Sequence, residues 1–174
     1  MYRLRELSHK DIKKINEWRA DKELIDSLGA PYRYIDMEID EQWYQSYLKN
    51  RDNTLRCAIT KNDDDNILGL ISLTSINYIN RIAVLHIMIG KNGQGKGAGT
   101  FAINEILKYA FLTLNLNRIE LQVLDDNERA KYLYKKLGFV EEGTKRQACY
   151  KDGIYKDMII MGMLKGDYLT RGEI

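Results

Sequence analysis

The sequence predicts an α/β fold, a mixed sheet with helices on both faces, and three observations carry that reading. Arg81–Leu124 reads strand, glycine turn, helix, strand. That order makes its two strands parallel neighbours with a right-handed crossover. Ahead of it, Thr54–Lys61 and Ile67–Ile76 are strand-like and joined by the acidic turn Asn62–Asn66, close enough to pair antiparallel. After it, Phe139–Gln147 and Ile154–Leu164 lie around Lys151-Asp152-Gly153, a good hairpin turn. The glycine turn then falls at the C-terminal end of the middle strand, where open α/β sheets bind ligands.

The remaining elements follow in order. Tyr2–Leu7 alternates like a strand, and Ser8 offers an N-cap before the helical stripe Ile12, Ile15 and Trp18. Gly29-Ala30-Pro31 breaks that region. Glu38–Arg51 reads as a second helix with Trp43, Tyr44, Tyr47 and Leu48 on one face. Arg81–Ile89 is apolar enough to be buried on both faces. The helix after the glycine turn runs to about Leu114, with Ile103, Ile106, Leu107, Ala110 and Leu114 at helical spacing. Arg118–Leu124 is a strand. Asn127–Leu137 is a helix, with Gly138 where a left-handed C-cap belongs.

The 174 residues suffice for one domain with a sizeable core, spanning residues 1–174. Hydrophobic residues make up 44% and charged residues 30%, and the formal charge is +2, which gives no argument for a nucleic-acid or membrane partner. The two cysteines, Cys57 and Cys149, make no disulfide framework, so reduced thiols in a cytoplasmic protein are expected. Met1–Lys10 is polar, without a signal-peptide pattern, and the apolar run Ile82–Ile89 is too short to span a bilayer.

The segment Gly90-Lys91-Asn92-Gly93-Gln94-Gly95-Lys96-Gly97-Ala98-Gly99-Thr100 places five glycines in ten residues before a strong helix. Glycine costs conformational entropy, so this density needs a reason. Glycine permits unusual dihedrals and lets a ligand approach the backbone closely, and a helix N-terminus adds free N–H groups, a phosphate site to which Lys91 and Lys96 add charge. A plain flexible turn is the alternative. Two other phosphate motifs match poorly. A P-loop would need Ser or Thr where Gly97 stands, and a dinucleotide fingerprint lacks its acidic ribose partner.

The better match is Gln94-Gly95-Lys96-Gly97-Ala98-Gly99, which resembles the pyrophosphate loop of the GNAT N-acetyltransferase superfamily. A second block follows about thirty residues on: Asp126-Asn127-Glu128-Arg129-Ala130, then Leu133-Tyr134-Lys135-Lys136-Leu137-Gly138-Phe139. It is similar to the Asn-x-x-Ala, tyrosine and Gly-Phe that close the coenzyme site in that family. Within the superfamily the chain looks most like the branch of spermidine and ribosomal-protein alanine acetyltransferases.

The resemblance implies transfer of the acetyl group of acetyl-CoA to a primary amine, with a coenzyme-binding core at about residues 81–143. It implies coenzyme contacts from Ile87, Met88 and Ile89, from Gln94, Gly95, Lys96, Gly97, Ala98, Gly99 and Thr100, and from Asn127, Arg129 and Lys136. It implies no metal. The acceptor would be a small molecule such as a polyamine or amino sugar. A protein N-terminus and a non-catalytic acyl-CoA sensor are the alternatives. Relatives of this kind often form dimers or larger rings.

An alkylamine is almost wholly protonated at neutral pH, so a base must take its proton, and a thiolate leaves more easily when an acid protonates it. The resemblance makes Tyr134 that acid. It shares a helix face with Ala130, Leu133 and Leu137, a pattern that a core tyrosine also satisfies. Many relatives carry a glutamate where Val84 stands. His86, two residues on, faces the same side of the strand and is the candidate base, with a packed histidine or a water relay as alternatives. Asn127 is at once a coenzyme ligand by resemblance and a candidate N-cap. The spermidine-acetylating relatives carry acidic residues where Ser75 and Val84 stand. The aromatics Tyr32, Tyr34, Trp43, Tyr44, Tyr150 and Tyr155 and the acids Asp36, Glu38, Asp40 and Glu41 are candidates for an acceptor cleft.

Overall fold

The computed structural model of the protein describes residues 1–171. Seven strands form one mixed sheet: β1 (Tyr2–Glu6), β2 (Leu55–Lys61), β3 (Gly69–Asn77), β4 (Ile82–Ile89), β5 (Arg118–Leu124), β6 (Val140–Lys151) and β7 (Ile154–Leu164), in the spatial order β1-β2-β3-β4-β5-β7-β6. The short-range neighbours β1 to β4 pair antiparallel in sequence, β4 and β5 pair parallel, and β5, β7 and β6 pair antiparallel. The mixed α/β sheet expected from the sequence is therefore present. The last hairpin turns at Asp152 and Gly153, both with positive φ, which is the backbone a two-residue hairpin requires.

Helices cover both faces. On one, α1 (Ile12–Ala20) and α3 (Met37–Lys49) bury Ile12, Ile15, Trp18, Tyr44 and Tyr47 against Ala58 and Leu70 of β2 and β3. On the other, α4 (Ala98–Lys108) and α5 (Glu128–Lys136) bury Ala102, Ile103, Ile106, Tyr134 and Leu137 against Ile59, Ile71, Leu85 and Ile119. Strand alternation produces this sorting: adjacent residues such as Ala58 and Ile59 feed opposite cores. Two short helices, α2 (Lys22–Asp26) and α6 (Lys165–Thr170), complete the molecule.

Three expectations need correction. The helix after the glycine turn keeps α geometry only to Lys108; Tyr109–Thr113 is a π turn, whose wider bonds let Leu114 N–H reach Tyr109 O. Leu48 is exposed, because α3 buries only Tyr44 and Tyr47 fully and Trp43 in part. The third concerns β4. Ala83 and Leu85 are buried, but His86 is exposed and Val84 and Met88 only half-buried. That face of β4 is open because it floors a cavity.

Cys57 and Cys149 are free and buried on β2 and β6, and burial pushes the Cys57 thiol up to about 11, so it stays unreactive. Among the described residues no helix is long and apolar enough to cross a membrane.

Candidate active site

The cavity starts where two strands part. β4 and β5 pair only at Ile82–Arg118, Ala83–Ile119 and Val84–Glu120. Beyond those positions both strands continue, to Ile89 and Leu124, and line a cavity of about 850 Å³. On its other edge β4 stays paired to β3 as far as Ile89. The edge facing β5 therefore presents backbone N–H and C=O groups with no strand partner. Such groups need hydrogen bonds, and an extended amide-bearing ligand supplies them as an extra strand would. Ile87, Met88 and Ile89 line this slot.

The glycine loop closes one end. Gly97 is the N-cap of α4 with φ 84°, and Gly95 has φ 71°. A Cβ at either position would meet no protein atom within 4 Å, so packing does not require these glycines. Their left-handed backbone does, and it directs the first amides of α4 outward. Gln94 fastens the loop to β4 by donating its Nε2 to Ile89 O at 2.9 Å. Gln94, Gly95, Gly97, Ala98, Gly99 and Thr100 all line the cavity. A cradle of free amides at a helix N-terminus fits a pyrophosphate.

The lysines contribute less than their charge suggested. Lys91 pairs with Asp21 and Glu23. Lys96 donates to Asn92 O at 3.1 Å, its carbonyl accepts from the Tyr2 hydroxyl at 2.8 Å, and it stands outside the cavity lining. Lys136 also lies outside the lining, whereas Arg129 is part of it.

Asn127 lines the cavity with both ends of its amide already engaged. Its Oδ1 accepts from Ala130 N–H at 3.1 Å, capping α5, and its Nδ2 donates to Ser27 O at 2.9 Å. The second bond ties α5 to the segment after α2. Ser27, Leu28, Gly29 and Ala30 form a wall of the cavity, and the buried Lys151 anchors them by donating to Ile25 O and Ala30 O, each at 2.8 Å. This wall is not legible in the sequence, because it depends on contacts across more than a hundred residues.

Tyr134 and His86 reach the cavity from opposite sides of the sheet. Tyr134 lies on the inner face of α5, edge-on to Phe139 with ring centroids 5.9 Å apart. Among the described residues no hydrogen bond is made to its hydroxyl, and burial pushes its pKa up to about 12. It thus holds its proton at neutral pH and has that proton to give. His86 lies on the other face with Nε2 3.0 Å from Thr74 Oγ1. Cavity solvent reaches the ring, yet the surrounding walls desolvate it. That desolvation, with Arg56 nearby, lowers its pKa below 6.5, so the imidazole is neutral and basic at pH 7.

Of the candidate acceptor-cleft residues only Trp43 lines the cavity. Asp36 caps α3, accepting from Ile39 N–H at 3.0 Å, and Asp40 is fully buried, held by Arg19 and by Asn16 Nδ2 at 2.8 Å. Ser75 sits at a bulge of β3 with φ 52° and is absent from the lining. Sequence reasoning missed Arg19, Arg56, Ser72, Tyr132 and Met158, all of which line the cavity.

The sequence and the fold both have relatives among known proteins. The acetyltransferase (GNAT) domain family matches residues 2–140. The chain belongs to the GNAT acetyltransferase family. It is 35% identical to the spermidine N(1)-acetyltransferase of Vibrio cholerae over 98% of this chain and 96% of that one. The structure of the Vibrio cholerae enzyme in complex with CoA and spermine superposes with a TM-score of 0.90 at 32% identity, covering 97% of this chain and 98% of that one. A dodecameric structure of that enzyme superposes with a TM-score of 0.85, covering 98% and 97% at 32% identity. A putative ribosomal N-acetyltransferase of Bacillus subtilis is 33% identical over 60% of this chain and 57% of its own length. As a GNAT member of this coverage, the protein is an acetyl-CoA-dependent N-acetyltransferase.

Proposed function

We propose that this GNAT enzyme acetylates the primary amine of a small molecule, with the coenzyme in the slot between β4 and β5 and the amine on the His86 face. The observation that carries this is one cavity that joins a phosphate cradle, an unpaired strand edge, a protonated tyrosine and a neutral imidazole.

Acetyl-CoA supplies the acetyl group as a thioester. The amides at the start of α4 hold its pyrophosphate, with Arg129 adding charge at the same end, and the free edge of Ile87–Ile89 orients its amide-bearing arm. His86 takes the proton of the attacking amine on Nδ1, with Nε2 held by Thr74 Oγ1. Tyr134 gives its proton to the sulfur as it leaves. A thiol is more acidic than this tyrosine, so the transfer is uphill by itself and is drawn forward as solvent returns a proton to the tyrosinate once the CoA thiol has formed. The coenzyme-binding core would span about residues 81–143.

For the acceptor, the relatives' names favour a polyamine, and an amino sugar is the other small amine in view. The Bacillus relative supports a second reading, a protein N-terminus. We place the enzyme in the cytoplasm, which suits its two unpaired thiols. We also propose an assembly larger than a monomer, supported by the dodecameric Vibrio enzyme. The test is an acceptor panel of polyamines, amino sugars, amino acids and N-terminal peptides, read as release of CoA. Acetyl-CoA binding without release of thiol to any amine would make the protein a sensor.

A further inference from the structure

The charged side chains that line the cavity are cations. Its lining contains no aspartate or glutamate among the described residues, and its charged side chains are Arg19, Arg56 and Arg129. Arg129 belongs to α5 at the coenzyme end. Arg19 is neutralised by the buried Asp40. Arg56 has no carboxylate partner among the described residues.

Arg56 is unusual in a second way. Its Nε is the buried side-chain nitrogen left without a hydrogen bond among the described residues. Of the guanidinium's donors, one reaches a protein acceptor, Ser72 Oγ at 3.3 Å. Its plane is held by aromatics, with the guanidinium carbon 4.7 Å from the Trp43 ring centroid and 5.8 Å from that of Tyr47. Arg19 covers Trp43 as well, at 4.6 Å. A half-buried cation beside a second cation, without a counter-charge, is costly unless something anionic arrives.

The sheet register places this cation beside the chemistry. Arg56 of β2 is paired with Ser72 of β3, and Ser72 with His86 of β4. The three residues form one cross-strand row on one face of the sheet, with neighbouring strands roughly 4.8 Å apart. A guanidinium reaching along this row ends near the imidazole. Arg56 in turn contributes to keeping His86 neutral.

Resting on the acetyl-transfer reading above, we propose that Arg56, with Ser72, is an anion subsite, so that the accepted small molecule carries a carboxylate or phosphate as well as its primary amine. The amine lies against His86 and the anion forms a paired hydrogen bond with the exposed edge of the guanidinium, which Trp43 and Tyr47 hold flat.

The experiment compares amines that differ only in the anion: glucosamine with glucosamine phosphate, and butylamine with γ-aminobutyrate, with spermidine as the polycation. CoA release is measured with wild type, Arg56→Gln and Arg56→Lys, after thermal melts show that the variants fold. The anionic member of at least one pair should have the higher kcat/KM by roughly ten- to a hundredfold. Arg56→Gln should erase that advantage with the KM for acetyl-CoA unchanged, and Arg56→Lys should keep part of it. Which pair responds distinguishes phosphate from carboxylate. Calorimetry of glucosamine phosphate, γ-aminobutyrate and spermidine against CoA-loaded protein needs no turnover. If no amine is acetylated, the transfer reading fails, while Arg56-dependent binding of an anionic amine would still establish the subsite. The proposal is overturned if spermidine is preferred to both anionic amines, or if Arg56→Gln leaves their binding and preference unchanged.

Discussion

Tyr134 has two residue-scale properties that belong together: it is buried beside Phe139, and it keeps its proton far above neutral pH. Its replacement by phenylalanine removes the proton while keeping the ring. We expect kcat to fall about a hundredfold with the Kd for CoA unchanged; an unaltered kcat would take Tyr134 out of the chemistry. For His86 the sign follows from its lowered pKa. The base works neutral, so kcat/KM should fall as pH drops through a midpoint below 6.5, and His86→Ala should abolish that acid limb along with most of the rate. An acid limb that survives in the alanine variant would assign the proton to another group. Tyr134 was legible from its place in a motif and on a helix face. His86 was legible as a strand-parity neighbour of Val84. Arg56 was not, because an arginine on a strand in a sequence carries no sign of whether a carboxylate will meet it.

At the scale of elements, the glycine turn and the helix that follows it were legible in the sequence, and the reason is local. Left-handed residues at Gly95 and Gly97 and a strong helix start leave their mark in a single stretch of sequence. Gly97→Asp should weaken CoA binding about tenfold or more by placing a negative charge beside the pyrophosphate. Gly97→Asn separates the causes, since asparagine tolerates the same backbone without the charge. Equal Kd values for the two variants would mean that charge is not the reason. Gly90 has a different constraint. A Cβ there would come within 2.5 Å of the Trp18 indole, so Gly90→Ala should lower unfolding free energy by about 1–3 kcal/mol in urea titrations. The open face of β4 escaped the sequence reading because an apolar run looks the same whether its neighbour packs on it or leaves a cavity.

At the scale of the whole molecule, the site's walls are made by contacts between distant segments. Lys151 on the last hairpin holds the carbonyls of Ile25 and Ala30, and Asn127 holds Ser27. Lys151→Met strands the buried Ile25 carbonyl and should cost about 1–3 kcal/mol for it, whereas water can reach the Ala30 carbonyl. It should also raise the KM for acetyl-CoA by loosening the wall, which steady-state kinetics would show. The sequence by itself determined the strand and helix order, the parallel β4–β5 pair, the glycine turn before α4 and the family, because these rest on periodicity, turn chemistry and short motifs. Only the tertiary structure decided where β4 and β5 part, which faces of β4 stay open, and which charges find partners. Those outcomes depend on what arrives from far along the chain: Asp40 reaches Arg19, and no carboxylate among the described residues reaches Arg56.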